Sequence, residues 1–338
     1  MRILVTKIKS PQTKKRKRKK KQRERMTWFG IVLCAVILYG AASLVDLLPE
    51  PEPELYSNRT VQVYNMETGE LMPLDLEQYL VGVVAAEMPA SFDSEALKAQ
   101  AVAARTFTVS RMISPHPNVT ALNSLAQIST SPATCQAWIS EEEQKKRWGS
   151  QYKEYHRKVV QAVADTAGEV LRYEGILIEP VYHASCGGAY TEDAQDVWGN
   201  AKPYLVSVNC AHATDPHTQT KNSMTLATMA QKLNLSEAVP AVFSGSYMQL
   251  VSSTGGNRVR EIRIGDQLFT GDELRSALNL KSSLISWYIS GNEITFVTDG
   301  YGHGVGMCQY GANYHAECGE DYRQILSRYY TGSQLSQE

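Results

Sequence analysis

Between Leu76 and Pro89 the apolar positions recur at the spacing of a buried helix face. Counting from Leu76, Tyr79, Leu80, Val83 and Val84 fall at i+3, i+4, i+7 and i+8,. Glu87 follows at i+11 on the same stripe. Asp75 with Gln78 three residues on predicts an N-cap of the capping-box type, and Pro89 closes the helix. A second helix is predicted from Ser94 to about Met112. Its Leu97, Ala101, Ala104 and Thr108 repeat at helical spacing, and its alanines let it approach the first helix closely. Residues 113–138 read as a polar loop, and Ile139 to Ala167 reads as one helix. Alternation predicts a strand at Val61–Tyr64, and residues 170–173 and Ile176 to Tyr182 also read as strands. Turn signals at Gly255-Gly256-Asn257 and Gly291-Asn292 predict hairpins over 248–264 and 284–298,. Helices are predicted near 225–233 and 321–330. Helices and hairpins segregate along the chain, which predicts an α+β fold. In it, helices carrying Glu87 pack on antiparallel, hairpin-rich β structure.

Ahead of this pattern lies a different one. Residues 1–26 carry 13 Lys and Arg against one acid, Glu24, and Thr27 to Val45 is a run of 19 residues without a charge. A membrane span takes about 20 apolar residues, so 27–48 reads as a transmembrane helix. The positive-inside rule then keeps the basic arm, 1–26, in the cytoplasm and everything after Pro49 outside. A cleaved signal peptide is the competing reading, with Ala41-Ala42-Ser43 as its cut site. Alternating Pro and Glu over 49–54 make a stiff stalk, taken to run to residue 59. Residues 60–338 form the exterior domain.

The whole chain holds 34 basic and 35 acidic residues, so the part beyond the arm carries a net charge of −13. An acidic exterior argues against DNA, RNA or an anionic polymer as partner. The basic arm fits anionic lipid better than nucleic acid. Five cysteines fall in the exterior part: Cys135, Cys186, Cys210, Cys308 and Cys318. At most two bridges can form among them, and no pair has zinc-finger spacing.

Glu87 is the first candidate for chemistry. A lone carboxylate on an apolar face is costly to bury ionised. Such a site raises the pKa and keeps the acid protonated near neutral pH, as a general acid requires. The competing assignment is a solvated or ion-paired helix end. The second candidate is Gly300 to Ala312, which packs five glycines into its first twelve residues. Neither P-loop nor Rossmann context is present. His303 reads as a metal ligand, a substrate donor or a packing histidine. Gln309 and Tyr310 supply the amide and hydroxyl groups that read sugar hydroxyls. Cys308 beside His303 lacks a third orienting group for a thiol nucleophile. Lys98 and Arg105, on the second helix, are candidates for substrate contact or for orienting Glu87, with a structural ion pair as the alternative.

Four stretches carry a resemblance: Val83 to Pro89, Glu95 to Thr106, Tyr182 to Gly188 and Gly302 to Ala312. Together they resemble the stage II sporulation protein D family over roughly residues 60–335. That family is related to amidase-enhancer domains. The resemblance implies a lytic transglycosylase of endospore formers acting on peptidoglycan, with Glu87 at the family's catalytic glutamate. It implies glycan strands stripped of stem peptides as substrate, and stage II sporulation proteins P, an amidase, and M, a membrane scaffold, as partners. It also implies a single-pass protein of the cell membrane, on the mother-cell side of the sporulation septum, acting during engulfment. One carboxylate suffices for this chemistry if the sugar supplies its own nucleophile, whereas hydrolases usually need two. A hydrolase would have to pair Glu87 with Glu192, Asp193 or Asp196. A rival from another class is a non-catalytic module that enhances an amidase. Some clostridial relatives carry a zinc motif, His-x5-Cys-x5-Cys. Here the corresponding positions are Asn123, Ser129 and Cys135, and one thiolate does not make a four-ligand site. No metal is expected at that loop, and no cofactor.

Overall fold

The computed structural model describes residues 26, 28, 53, 55, 57–212, 215–235 and 247–338. Apart from isolated positions, the basic arm, the predicted span and the stalk up to residue 56 lie outside them. Among the described residues no helix is long and apolar enough to cross a membrane. The chain divides into Met1–Glu52 and Pro53–Glu338, and the second unit carries all that follows.

Asp75 caps the first helix, Leu76–Glu87, by accepting the N–H groups of Glu77 and Gln78. The cap is as expected, but the reciprocal bond of a capping box is not made. This helix is buried on nearly every side rather than along one stripe: Leu76, Glu77 and Tyr79 through Ala85 are all buried,. It packs on the alanine-rich helix Ser94–Ile113, on Tyr152–Asp165 and on a small sheet. In that sheet Thr60–Tyr64 pairs antiparallel with Leu71–Asp75 and parallel with Ile128–Ser129. Leu71–Asp75 escaped the sequence reading because Pro73 weakens a strand signal. It is tolerated here because that strand lies at the sheet edge,.

The expected single helix over 139–167 is two. Glu141–Trp148 ends at Gly149, whose φ of +52° stops an α-helix, and Tyr152–Asp165 follows a short 3-10 turn. The polar loop after residue 113 holds one helical turn, Pro117–Thr120, and the strand Ile128–Ser129.

Among the described residues there are two cores. The larger joins the helices above to Glu169–Tyr173 and to the C-terminal helices Gln309–Glu317 and Tyr322–Tyr329. The smaller belongs to residues 224–296. There two antiparallel three-stranded sheets and the helices Leu226–Lys232 and Gly271–Leu278 bury Ile262, Ile264, Leu274, Ile294 and Phe296. Both predicted hairpins are in this lobe. The α+β class is correct, and the packing expected within it holds only in part. The Glu87 helix rests on helices and the small N-terminal sheet, while the long hairpins enclose a core of their own.

The lobe separates two sequence motifs that the fold reunites. Tyr182–His183 pairs parallel with Met307–Cys308, and Ser185 bridges Tyr301. Gly306 makes this approach feasible. Its φ is +72°, and a Cβ there would stand 2.1 Å from the Val181 carbonyl oxygen,.

Candidate active site

Glu87 is the last residue of its helix, which stops as Met88 turns extended. The negative end of the helix dipole already disfavours a carboxylate there. Part of the residue's surface is open, but its carboxyl is enclosed. Burial pushes the pKa up to about 7, although one backbone N–H pulls the other way. That donor is Ala137, 2.6 Å from Glu87 Oε1.

The donor is delivered by a strap, residues 136–139, lying against the helix. Gly82 is what lets it lie there. A Cβ at Gly82 would fall 2.2 Å from Trp138 Nε1 and 2.8 Å from the Ile139 carbonyl oxygen. The Ile139 N–H donates to the Gly82 carbonyl at 3.2 Å, so helix and strap are also bonded at the point of closest approach. Arg147 supplies a cation at the same helix end, donating to the Ala85 carbonyl at 3.1 Å,.

Two phenols share this surrounding. Burial raises the pKa of Tyr79, with Cys135 and Glu87 adding to it. Burial and then the Glu87 charge raise that of Tyr182. Both remain protonated. Tyr182 donates to Gln136 Oε1 at 2.8 Å, and Gln136 Nε2 donates to Thr108 Oγ1 at 3.0 Å. Gln136, Ala137, Tyr79 and Tyr182 therefore form the polar setting of one carboxyl group.

The other sequence candidates are distributed around this centre. Gln309 is buried and donates to Gln100 Oε1 at 3.1 Å. His303 accepts the Val305 N–H on Nδ1 at 3.1 Å. Its ring lies against Trp198 and His183, with centroids at 5.1 and 5.7 Å. Burial, then His183, Arg275 and Arg258, keep it neutral. Tyr310 meets Phe92 and His217 edge-on and borders a cleft of about 550 Å3 that also touches Ser91, Asp215 and Tyr314.

Lys98 and Arg105 sit in ion pairs. Lys98 Nζ lies 2.9 Å from Glu95 and 3.0 Å from Asp165. Arg105 is fully buried and grips Glu77 with two bonds of 2.8 and 2.7 Å, while its other donors reach Val163, Thr166 and Glu169. It has no surface for a substrate, so the structural alternative describes it. Glu77 escaped attention because its partner is 28 residues away.

The acids required by a two-carboxylate hydrolase are engaged elsewhere. Glu192 is buried against Arg258, 3.3 Å away. Asp193 caps a helix through the Gln195 N–H, and Asp196 pairs with Arg260. Cys135 Sγ accepts the Ser129 N–H at 3.4 Å. Among the described residues the cluster of metal-ligating side chains is Cys186, Cys210, His212 and Cys308. It includes neither Cys135 nor Glu87.

The profile of a family described as Stage II sporulation protein matches residues 64–173. That match spans the Glu87 helix, the strap and the ion-paired Arg105. Stage II sporulation protein D of Bacillus subtilis is 37% identical over 279 residues, covering 82% of this chain and 79% of its own. The protein of the same name from Bacillus amyloliquefaciens has the same identity and coverage. An amidase enhancer of Bacillus subtilis is 29% identical over 310 residues, covering 76% of this chain and 40% of its own. With more than a third of positions identical over four fifths of its length, the chain belongs to the stage II sporulation protein D family, whose members take part in sporulation.

Proposed function

We propose that the chain is a peptidoglycan lytic transglycosylase, anchored in the cell membrane by residues 27–48. It cuts between N-acetylmuramic acid and N-acetylglucosamine in peptide-stripped strands during engulfment. The observation that carries this reading is Glu87: an enclosed, solitary carboxyl with a pKa raised to about 7 and no free carboxylate partner at Glu192, Asp193 or Asp196.

The protonated carboxyl donates to the glycosidic oxygen as the bond to C1 breaks. The resulting carboxylate takes the proton of the muramoyl C6 hydroxyl, whose oxygen bonds to C1. The product is a 1,6-anhydro end, and water is not consumed. A pKa of about 7 suits a group that must both give and take a proton. The Ala137 N–H stabilises the carboxylate between the two transfers,. Tyr182 and the buried Gln309 lie on the motifs the fold reunites and are proposed to orient the strand. His303 and Tyr310 are proposed as its outer contacts. Lys98 holds Glu95 and Asp165 and has no part in the chemistry, and Arg105 supports the fold.

The supply of peptide-stripped strands requires an amidase, for which stage II sporulation protein P is the proposed partner, with protein M as membrane scaffold. The acidic exterior disfavours a nucleic acid, which carries a charge on every nucleotide, more than a stripped glycan strand, which carries one lactyl carboxylate per disaccharide. The relative whose name is amidase enhancer favours a second reading, a non-catalytic activator of an amidase. Mass spectrometry of peptide-stripped glycan incubated with the purified chain alone separates them. Anhydro-muramoyl ends support the enzyme. Intact strands, together with faster turnover of an added amidase, support the activator.

A further inference from the structure

Three stretches distant in sequence meet behind the glycine-rich loop. Cys186, Cys210, His212 and Cys308 each offer one ligand atom, and these atoms all lie within 4.8 Å of one another. The three cysteines are buried, and the His212 side chain is 0% exposed. His212 turns Nδ1 towards the sulfurs, 3.9 Å from Sγ of both Cys186 and Cys210. In a tetrahedral zinc site, with Zn–S about 2.3 Å and Zn–N about 2.0–2.1 Å, sulfurs stand about 3.8 Å apart and sulfur and nitrogen about 3.6 Å. The cluster is of that size.

Its surroundings are those of a thiolate site. The backbone N–H groups of Cys186 and Gly311 both donate to Cys308 Sγ at 3.3 Å, and the Tyr329 hydroxyl lies 3.0 Å from Cys210 Sγ. Gly311 is needed for the approach, since a Cβ there would be 2.4 Å from Cys210 Sγ. Behind the imidazole, Asp215 Oδ2 lies 3.4 Å from His212 Nε2 and also accepts the Ser185 hydroxyl. A carboxylate in this place fixes the tautomer and orientation of a metal-binding histidine. Nδ1 also lies 2.9 Å from the Cys210 carbonyl oxygen. Ligation takes the tautomer with its proton on Nε2, where Asp215 accepts it. Arg258, which donates to the Cys186 carbonyl at 3.2 Å, brings positive charge to a centre of three thiolates and one dication.

We propose that Cys186, Cys210, His212 and Cys308 hold one structural zinc ion. Three sulfurs and one imidazole select zinc over magnesium or calcium, and four protein ligands leave no open position for catalysis. Binding releases three thiol protons to solvent and transfers no electrons. The ion fastens Tyr182–His183 to Met307–Cys308, a pairing of only two residues on each side. It thereby holds Tyr182 and Gln309 in place. Spacing could not reveal this site, because its ligands span residues 186 to 308 and only Cys210 and His212 are near neighbours.

The competing use of these sulfurs is a disulfide, which would leave one thiol over. The full chain, purified in detergent without chelator and dialysed against zinc and then zinc-free buffer, is assayed by elemental mass spectrometry. One zinc per chain is expected. It should be kept by Cys135→Ser and Cys318→Ser and lost from Cys210→Ser. Cobalt loaded into the unaltered chain should show thiolate charge-transfer absorption and the intense visible bands of a tetrahedral site, so the test stands even if Cys210→Ser fails to fold. A folded chain without zinc overturns the proposal. So does a disulfide between any two of Cys186, Cys210 and Cys308 in the unreduced peptide map, or zinc that leaves with Cys135 and stays without Cys210.

Discussion

Replacing Glu87 by glutamine should make the protein more stable in alkaline solution and not in acid. The folded chain raises the Glu87 pKa from 4.5 to about 7. The folded state therefore keeps a proton that the unfolded chain gives up in this window. Stability contributed by the protonated group is fully present below about pH 4.5 and lost as pH rises through about 7. A shift of about 2.5 units at 1.36 kcal/mol each comes to about 3 kcal/mol. Because part of Glu87 is open to solvent, about 1–3 kcal/mol is the expected range. Glu87→Gln is neutral at every pH, has nearly the same shape, and keeps an oxygen to accept the Ala137 N–H. It should exceed the unaltered chain in stability by about 1–3 kcal/mol at pH 8.5 and match it within about 0.5 kcal/mol at pH 4. Urea unfolding at the two pH values measures this as a shift in midpoint at constant slope. A gain of equal size at both pH values would refute the reasoning, as would a variant less stable than the parent at pH 8.5. Either result means that the folded chain does not favour the protonated carboxyl.

Other consequences follow from the same geometry. Gly82→Ala gains helix propensity of about 1 kcal/mol but drives a methyl group into Trp138 and the Ile139 carbonyl; net destabilisation of about 1–3 kcal/mol is expected in urea, together with reduced release of anhydro ends as Ala137 moves off Glu87. Arg105→Met alone strands the buried Glu77 charge and should cost about 3–5 kcal/mol, whereas adding Glu77→Leu should recover most of it, because a buried ion pair is often replaceable by apolar groups; a double variant as unstable as the single would refute this. The kcat/KM for strand cleavage should fall tenfold per unit as pH rises beyond about 7, since the starting acid is lost; a rate that climbs through this range would assign Glu87 the role of base alone.

Much of this was legible because the signals are local. The two helices that build the Glu87 site are set by periodicity and caps within about 40 residues. The hairpins are marked by Gly-Asn turns. What sequence could not display is whatever joins distant segments. The Ala137 N–H reaches Glu87 across 50 positions. It is a backbone group, so residue identity says nothing of it, although Gly82 in mid-helix was a visible departure from helix preference. Arg105 matched the pattern of a ligand-binding cation as well as that of a buried ion pair, and only the position of Glu77 decides between them. The break at Gly149 was readable in principle. The charged run around it kept helical composition and masked the interruption.

The most direct test is product analysis of peptide-stripped glycan digested in oxygen-18 water by the purified chain and by its Glu87→Gln variant. The account predicts anhydro-muramoyl ends free of the label from the unaltered chain, and at least a hundredfold fewer from the variant, on the order of what loss of one general acid–base group removes. Labelled reducing ends, or unchanged release of anhydro product by the folded variant, would contradict it.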